Sequence, residues 1–429
     1  MFSIKKHPLI YGTVALTGAG LLCRLIGFFF RIYLSRTFGG EQIGIYQLTG
    51  PVIGITLSIT SGIFQTVISK LSAEEKNDNT RILFVGLTIA LPLSFLFTIV
   101  LHQNAQFLAT FWLKEPACAP LIRVFSLCII PACFHNCLGG FFLGRKKIHL
   151  PAISQIAEQV VRTGSVILIV QFFIHQGRTP DLTIVMIGSL LGELCSMLFS
   201  AIAISLIKNP VHCKQTTILY KPFLILLLPL FSTRIVVNLL QAFETIMLPH
   251  YLKMHTTTPG EALNVYGTLT GMALPLILFP TTLTGSLATI LLPSISGLRA
   301  AGQMTKARKT FSVTVRFCFV LGCFCGLFFF IFADFLGEKL FESTLCSLFI
   351  KTLAPLCPFL YMNTTLNGTL QGLGKMNTIF IIQVLCLSLR CLLLVLLLPS
   401  FGMLGYLYLL LFINMLQCLL YFRAVRQSI

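Results

Sequence analysis

Charge is scarce in this sequence. Only 10% of the 429 residues are Asp, Glu, Lys or Arg, and the acidic share is 13 residues against 31 Lys and Arg. Too few polar residues remain to coat a soluble globule of this length, which excludes a water-soluble protein. The three aspartates, Asp78, Asp181 and Asp334, lie far apart in short connections. A glycosyltransferase would need paired carboxylates and a sizeable loop domain for a nucleotide sugar, and neither is present. A Walker A motif is also lacking, because Gly372-Leu373-Gly374-Lys375 has the wrong spacing and no Ser or Thr follows it. The 15 cysteines form no CxxC pair with metal-like partners nearby, and Cys323 and Cys325 read as packing residues; of the rest, Cys118, Cys213 and Cys346 lie outside spans or at their ends. No enzyme activity, cofactor or metal is therefore expected. The longest hydrophilic connection is about a dozen residues, so the net charge of +18 has no solvated module with which to bind nucleic acid.

What is present is apolar sequence, at 56% of the chain. About 20 apolar residues cross the hydrocarbon core as a helix. About twelve such stretches occur, near 9–34, 43–69, 82–101, 119–143, 151–175, 183–207, 222–250, 263–295, 310–333, 348–372, 377–399 and 402–422. The fold class is an all-α polytopic membrane protein. Cations gather in the even-numbered connections: Lys70, Lys76 and Arg81, then Arg145, Lys146 and Lys147, then Lys208, Lys214 and Lys221, then Arg299, Lys306, Arg308 and Lys309. By the positive-inside rule both termini are cytoplasmic, and Lys5, Lys6, Arg423 and Arg426 agree. The first stretch is longer than a signal h-region, contains arginines and lacks a small-x-small cleavage site, so it reads as a retained span.

An internal repeat organises the spans. Leu138, Gly140, Gly144, Lys147, Gln155 and Arg162 are matched 228 residues later by Leu366, Gly368, Gly372, Lys375, Gln383 and Arg390. Two six-helix halves follow, 1–207 and 208–429. Six is even, so both enter from the same side as a parallel repeat, an architecture that encloses a central site.

Polar residues at helical spacing indicate which spans line that site. Thr13, Thr17, Gly20, Arg24, Gly27, Arg31 and Ser35 fall on one face of the first span. Gln47, Gly54, Ser58, Ser61, Gln65 and Ser69 do so in the second, Arg234, Asn238, Gln241 and Thr245 in the seventh, and Thr268, Gly271, Pro275, Thr282, Ser286 and Thr289 in the eighth. The third, sixth, ninth and twelfth are apolar nearly all round and should face lipid or pack in the outer ring. Glycine and serine stripes are as readily explained by close helix packing. Arginines are not, since a guanidinium at bilayer depth costs roughly 2.5–3.5 kcal/mol unless it meets water, an anion or a carboxylate. Arg31, Arg123 and Arg316 lie near enough to a helix end to snorkel, whereas Arg24, Arg162, Arg234 and Arg390 are mid-span. Glu158, one turn before Arg162, makes a structural ion pair the natural reading there. Three carboxylates occur within spans, Glu158, Glu193 and Glu244, and none is on the first helix. Glu244 is a candidate for ion coupling or for pairing with a nearby cation. The expected binding set is Arg24, Arg31, Arg234, Asn238, Gln241, Gln47 and Gln65 around a cationic cavity.

The stretch Cys23-Arg24-Leu25-Ile26-Gly27-Phe28 through Arg31, with Ser35-Arg36-Thr37-Phe38-Gly39 and Gly44-Ile45-Tyr46-Gln47-Leu48, resembles the opening of the stage V sporulation protein B family. Arg234, Met247-Leu248-Pro249, Tyr266-Gly267-Thr268-Leu269-Thr270-Gly271-Met272-Ala273-Leu274-Pro275 and Leu292-Pro293-Ser294-Ile295-Ser296 resemble its seventh and eighth helices. That family belongs to the polysaccharide-exporter branch of the multidrug/oligosaccharidyl-lipid/polysaccharide flippase superfamily. The resemblance implies a MATE-like or lipid II flippase-like fold and export of an undecaprenyl diphosphate-linked cell-wall glycan across the bacterial cytoplasmic membrane. It implies that Arg24, Arg31 and Arg234 receive the diphosphate-sugar head group while the polyprenyl tail stays among the membrane lipids. There are two departures from the group's pattern. Members commonly have fourteen helices, so a tail groove built from a last pair would be missing, and many carry aspartate where Glu244 stands. The alternative within the superfamily is a cation-coupled multidrug antiporter, which would call for carboxylates where this sequence has arginines.

Overall fold

The computed structural model describes residues 8–74, 79–206 and 217–428. The boundary drawn at 207/208, and Lys5, Lys6, Lys76, Asp78, Lys208, Cys213 and Lys214, lie outside the described residues. No strand occurs among the described residues. The helices expected singly are single: Asn79–Gln103, Cys118–Gly144, His149–His175, Thr183–Ser205, Thr217–Leu252 and Met304–Ile331. The tenth span runs from Thr344–Leu353 through a 3-10 turn at Ala354–Leu356 into Cys357–Gly372.

Among the described residues nine helices are long and apolar enough to cross a membrane. Two of them, Thr17–Ala73 and Met376–Ser428, run for 57 and 53 residues. At 1.5 Å per residue each is more than twice the hydrocarbon thickness. Each therefore supplies two crossings, hinged at a glycine whose positive φ strains any L side chain: Gly39 (φ 73) and Gly402 (φ 56). The eighth span is a bent pair, Pro259–Leu278 and Thr281–Ala288 at 54°. Counting each hinged helix as two spans and the bent pair as one reproduces the twelve read from hydropathy.

The residues group into two compact units, Met1–Phe30 with Leu48–Leu239, and Arg31–Gln47 with Leu240–Ile429. This grouping differs from the sequence repeat: it divides the first and seventh helices instead of cutting in the connection near residue 207. In unit 1 the fourth span is the hub, packed on the second, third and sixth, and the fifth packs on the sixth. In unit 2 the tenth span takes the same place against the eighth, the ninth and the final hinged helix. The repeated glycines explain this. A β-carbon at Gly140 would stand 2.5 Å from the carbonyl oxygen of Gln65, and one at Gly368 would stand 3.1 Å from the backbone of Ala288. Each removes a side chain where the hub helix meets its neighbour. The halves also share short wide π-helical turns: Ser58–Gly62 and Thr268–Ala273 within the second and eighth spans, and Leu108–Trp112 and Phe335–Leu340 after the third and ninth.

Apolar side chains such as Phe95 and Ile99 of the third span and Phe317, Val320 and Phe324 of the ninth are exposed, as lipid-facing helices require. In lipid, helices associate by close packing more than by the hydrophobic effect. One contact in unit 2 is of this kind: Gly40 and Gly44, four residues apart, face Gly267, with their backbone atoms where a β-carbon at Gly267 would lie, and Gly271 one turn on stands against Ile43. Gly267→Val should destabilise the protein by about 1–3 kcal/mol through overpacking, read as an earlier thermal transition in detergent. Gly54→Ala, where a β-carbon meets nothing within 4 Å, should leave that transition in place.

Candidate functional site

In unit 1 the first span lies along the fifth. Cys23 Sγ approaches the carbonyl of Gln155 at 3.5 Å, and a β-carbon at Gly27 would stand 3.5 Å from Gln159 Nε2. Arg24, the next residue after Cys23, is exposed and has no ion-pair partner among the described residues. Arg234 of the seventh span is also exposed and unpaired among them. Its guanidinium runs along the second span at the wide turn, where a β-carbon at Gly62 would stand 3.6 Å from Nη1. One turn further on, Asn238 Nδ2 donates to Ser58 Oγ at 2.7 Å, in that same turn. π-turns of this kind recur at functional sites because the extra residue re-aims side chains. Gln65, half-buried, sits against Gly139, with its amide nitrogen 3.4 Å from a β-carbon placed there. Arg24, Arg234, Asn238 and Gln65 thus form the polar inventory of unit 1, with Gln155 and Gln159 added from the fifth span. Ser61 leaves it, because its buried hydroxyl donates back to the carbonyl of Leu57.

Unit 2 holds Arg31, Gln47 and Gln241. Arg31 and Gln241 are exposed, and Gln47 is half-buried beside Gly271 of the eighth span. Arg36 is tied down instead: its guanidinium donates to the carbonyls of Lys339 and Leu340 and lies 3.5 Å from Glu342. Glu244 is buried and fully engaged. Arg390 Nη2 of the eleventh span lies 2.5 Å from Oε2, and Tyr406 Oη of the twelfth donates to Oε1 at 2.7 Å. Any coupling ion at Glu244 would have to displace a guanidinium.

The four mid-span arginines therefore divide into two kinds. Arg162 contacts Glu158 and lies 3.6 Å from Glu193, and Arg390 contacts Glu244. Arg24 and Arg234 are charge-bearing, accessible and without a carboxylate among the described residues.

A family model described as polysaccharide biosynthesis protein matches residues 9–299. The chain belongs to that family. The chain is 28% identical over 387 residues to stage V sporulation protein B of Bacillus subtilis, covering 86% of this chain and 74% of the relative. It is also 22% identical over 377 residues to sporulation protein YkvU of the same organism, covering 86% and 84%. Among solved structures the fold matches the lipid II flippase MurJ in an inward closed conformation, at TM-score 0.74 and 15% identity over 96% of this chain and 87% of that one. An inward-facing multidrug resistance MATE transporter of the MOP superfamily matches with the same TM-score and identity, over 94% of each chain. The family member described here thus shares the helical fold of these two transporters.

Several residues of this family member stand apart from the expected binding set. The grouping of His135 with Glu193, Glu158 and Arg162 joins three spans, and the signal available for it was the presence of ionisable residues inside apolar helices. Tyr406 as a partner of Glu244 carried no sequence signal, since nothing local connects positions 162 residues apart.

Proposed function

We propose that the chain is a flippase that carries an undecaprenyl diphosphate-linked cell-wall oligosaccharide or peptidoglycan precursor across the cytoplasmic membrane by alternating access, with both termini cytoplasmic. The observation that carries this reading is the contrast among the arginines. Two contact carboxylates, while Arg24 and Arg234, mid-span by sequence position, are exposed and have no carboxylate partner among the described residues. An open guanidinium at that depth calls for an anion, and a diphosphate supplies about two charges to which arginine's planar fork binds in bidentate fashion. Arg31, Asn238, Gln241, Gln47 and Gln65 complete the set, the amides offering both donors and acceptors to sugar hydroxyls.

The second reading, a cation-coupled multidrug antiporter, is favoured by the equally good fold match to a MATE transporter. It needs a carboxylate free to take a cation or a proton in exchange for a cationic drug. Glu158 and Glu244 each already contact a guanidinium, and Glu193 lies within ion-pair distance of Arg162 and His135.

The two readings separate in proteoliposomes. The flippase reading expects a lipid-linked diphosphate glycan placed in one leaflet to become accessible in the other only when the protein is present. Movement of a cationic dye under an ion gradient, with the glycan lipid left where it was placed, would contradict it and support the antiporter.

A further inference from the structure

Four ionisable side chains from three spans meet inside unit 1: His135 of the fourth, Glu158 and Arg162 of the fifth, and Glu193 of the sixth. His135 Nε2 lies 3.0 Å from Glu193 Oε2, Arg162 Nη2 contacts Glu158, and the same nitrogen is 3.6 Å from Glu193 Oε1. All four side chains are largely withdrawn from the surface, at 12–26% exposure. The helices that carry them cannot readily spread, because Gly188 and Gly192 place the sixth span against the carbonyls of Arg162 and Glu158, at 3.0 and 2.9 Å from the β-carbons they lack.

The formal charges decide what this cluster needs. Two carboxylates against one guanidinium leave a net charge of −1 when the imidazole is neutral, and zero when it is protonated. An uncompensated buried charge at membrane depth is strongly unfavourable, and the low local dielectric strengthens the attraction for a compensating cation. Ligand atoms of His135, Glu158 and Glu193 within 4.8 Å of one another are also what a metal ion would take. Arg162, however, already occupies the cationic position against both carboxylates and would repel a divalent ion. Asn136 Nδ2 approaches His135 Nε2 at 3.2 Å while also donating to the carbonyl of Ala132 at 2.8 Å. His135 Nε2 can accept from that amide only when it carries no proton, whereas Glu193 Oε2, 3.0 Å away, is buried with no hydrogen-bond donor among the described residues, a lack that a proton on Nε2 would fill with a charge-assisted bond.

Outside the cluster, the mid-span cations of unit 1 are Arg24 and Arg234, and neither lies within ion-pair distance of Glu158 or Glu193. On the second and third spans, Lys70, Arg81 and His102 stand at or near helix ends, as do Arg123 of the fourth span and His149 and His175 of the fifth. Cys23 of the first span, Cys128, Cys133 and Cys137 of the fourth and Cys195 of the sixth are free thiols.

We propose that this cluster is a proton-binding site, in which His135, held against Glu193, carries the one additional positive charge that the four groups require. The site gives unit 1 a single proton to hold inside the membrane, whatever cargo the chain carries.

The test uses the full-length protein in lipid nanodiscs with 15N-labelled histidine and reads ring protonation at pH 7. The His135 signals are identified by their loss in His135→Gln. Should that variant fail to fold, paired carbonyl-13C histidine and 15N asparagine labelling picks out His135-Asn136, since no other histidine of the 8 precedes an asparagine. The expected result is an imidazolium, with both ring nitrogens protonated, that becomes a neutral imidazole at the same pH in Glu193→Gln. A neutral imidazole in the wild type, or an imidazolium indifferent to Glu193→Gln, would overturn the proposal. Neither outcome depends on transport, so failure here leaves the flippase reading standing.

Discussion

Alanine at Arg24 or Arg234 lowers the rate of glycan-lipid flipping by at least about tenfold each, and the double replacement abolishes it. A hydrogen bond to a charged group is worth about 1.5–3 kcal/mol, and about 1.4 kcal/mol corresponds to a factor of ten. One lost bidentate contact therefore accounts for roughly tenfold to over a hundredfold. Lysine at either position should restore only part of the rate, because it returns the charge and not the planar fork. Thermal stability in detergent should change little in all these variants, because both side chains are exposed and support no ion pair among the described residues. That separation of transport from stability distinguishes a binding role from a structural one. Unchanged flipping with stable Arg24→Ala and Arg234→Ala protein would remove both residues from the site.

The opposite pattern is expected in unit 2. Arg390→Met or Glu244→Gln should each destabilise the protein by about 3–5 kcal/mol, because each leaves a buried partner uncompensated. Glu244 holds the seventh, eleventh and twelfth spans together through Arg390 at 2.5 Å and Tyr406 at 2.7 Å. Combining the two replacements should cost clearly less than the sum of the single effects, since the double variant buries no unpaired charge. Thermal unfolding of the four proteins in one detergent provides this cycle. Additive losses, or single variants as stable as the wild type, would mean that Glu244 and Arg390 do not act as a pair.

The twelve spans were legible because hydropathy over 20 residues reports the membrane directly; the hinge at Gly39 falls between the first two apolar stretches and that at Gly402 opens the last. The repeat was legible because the same packing task recurs: Gly140 and Gly368 each admit a neighbouring helix onto a hub. Arg162 was readable as an ion-pair residue because its partner Glu158 lies one helical turn away. The Glu244–Arg390 pair was open to either reading, since spacing along the chain says nothing about residues on different helices. The same limit hid His135, whose partner Glu193 lies on another span. The contact grouping was not legible either. It passes through the middle of the first helix between Phe30 and Arg31 and of the seventh between Leu239 and Leu240, where hydropathy is unbroken. That division parts Gln47 from Gln65, and Arg234 and Asn238 from Gln241, although each set shares a helical stripe.

Direct binding of purified protein to lipid II, set against undecaprenyl phosphate and a cationic dye, tests the central claim most directly. The wild type should bind lipid II in preference to both, and Arg24→Ala/Arg234→Ala should lose that binding by at least about a hundredfold. Dye binding by both proteins, with indifference to lipid II and to the two arginines, would contradict the account.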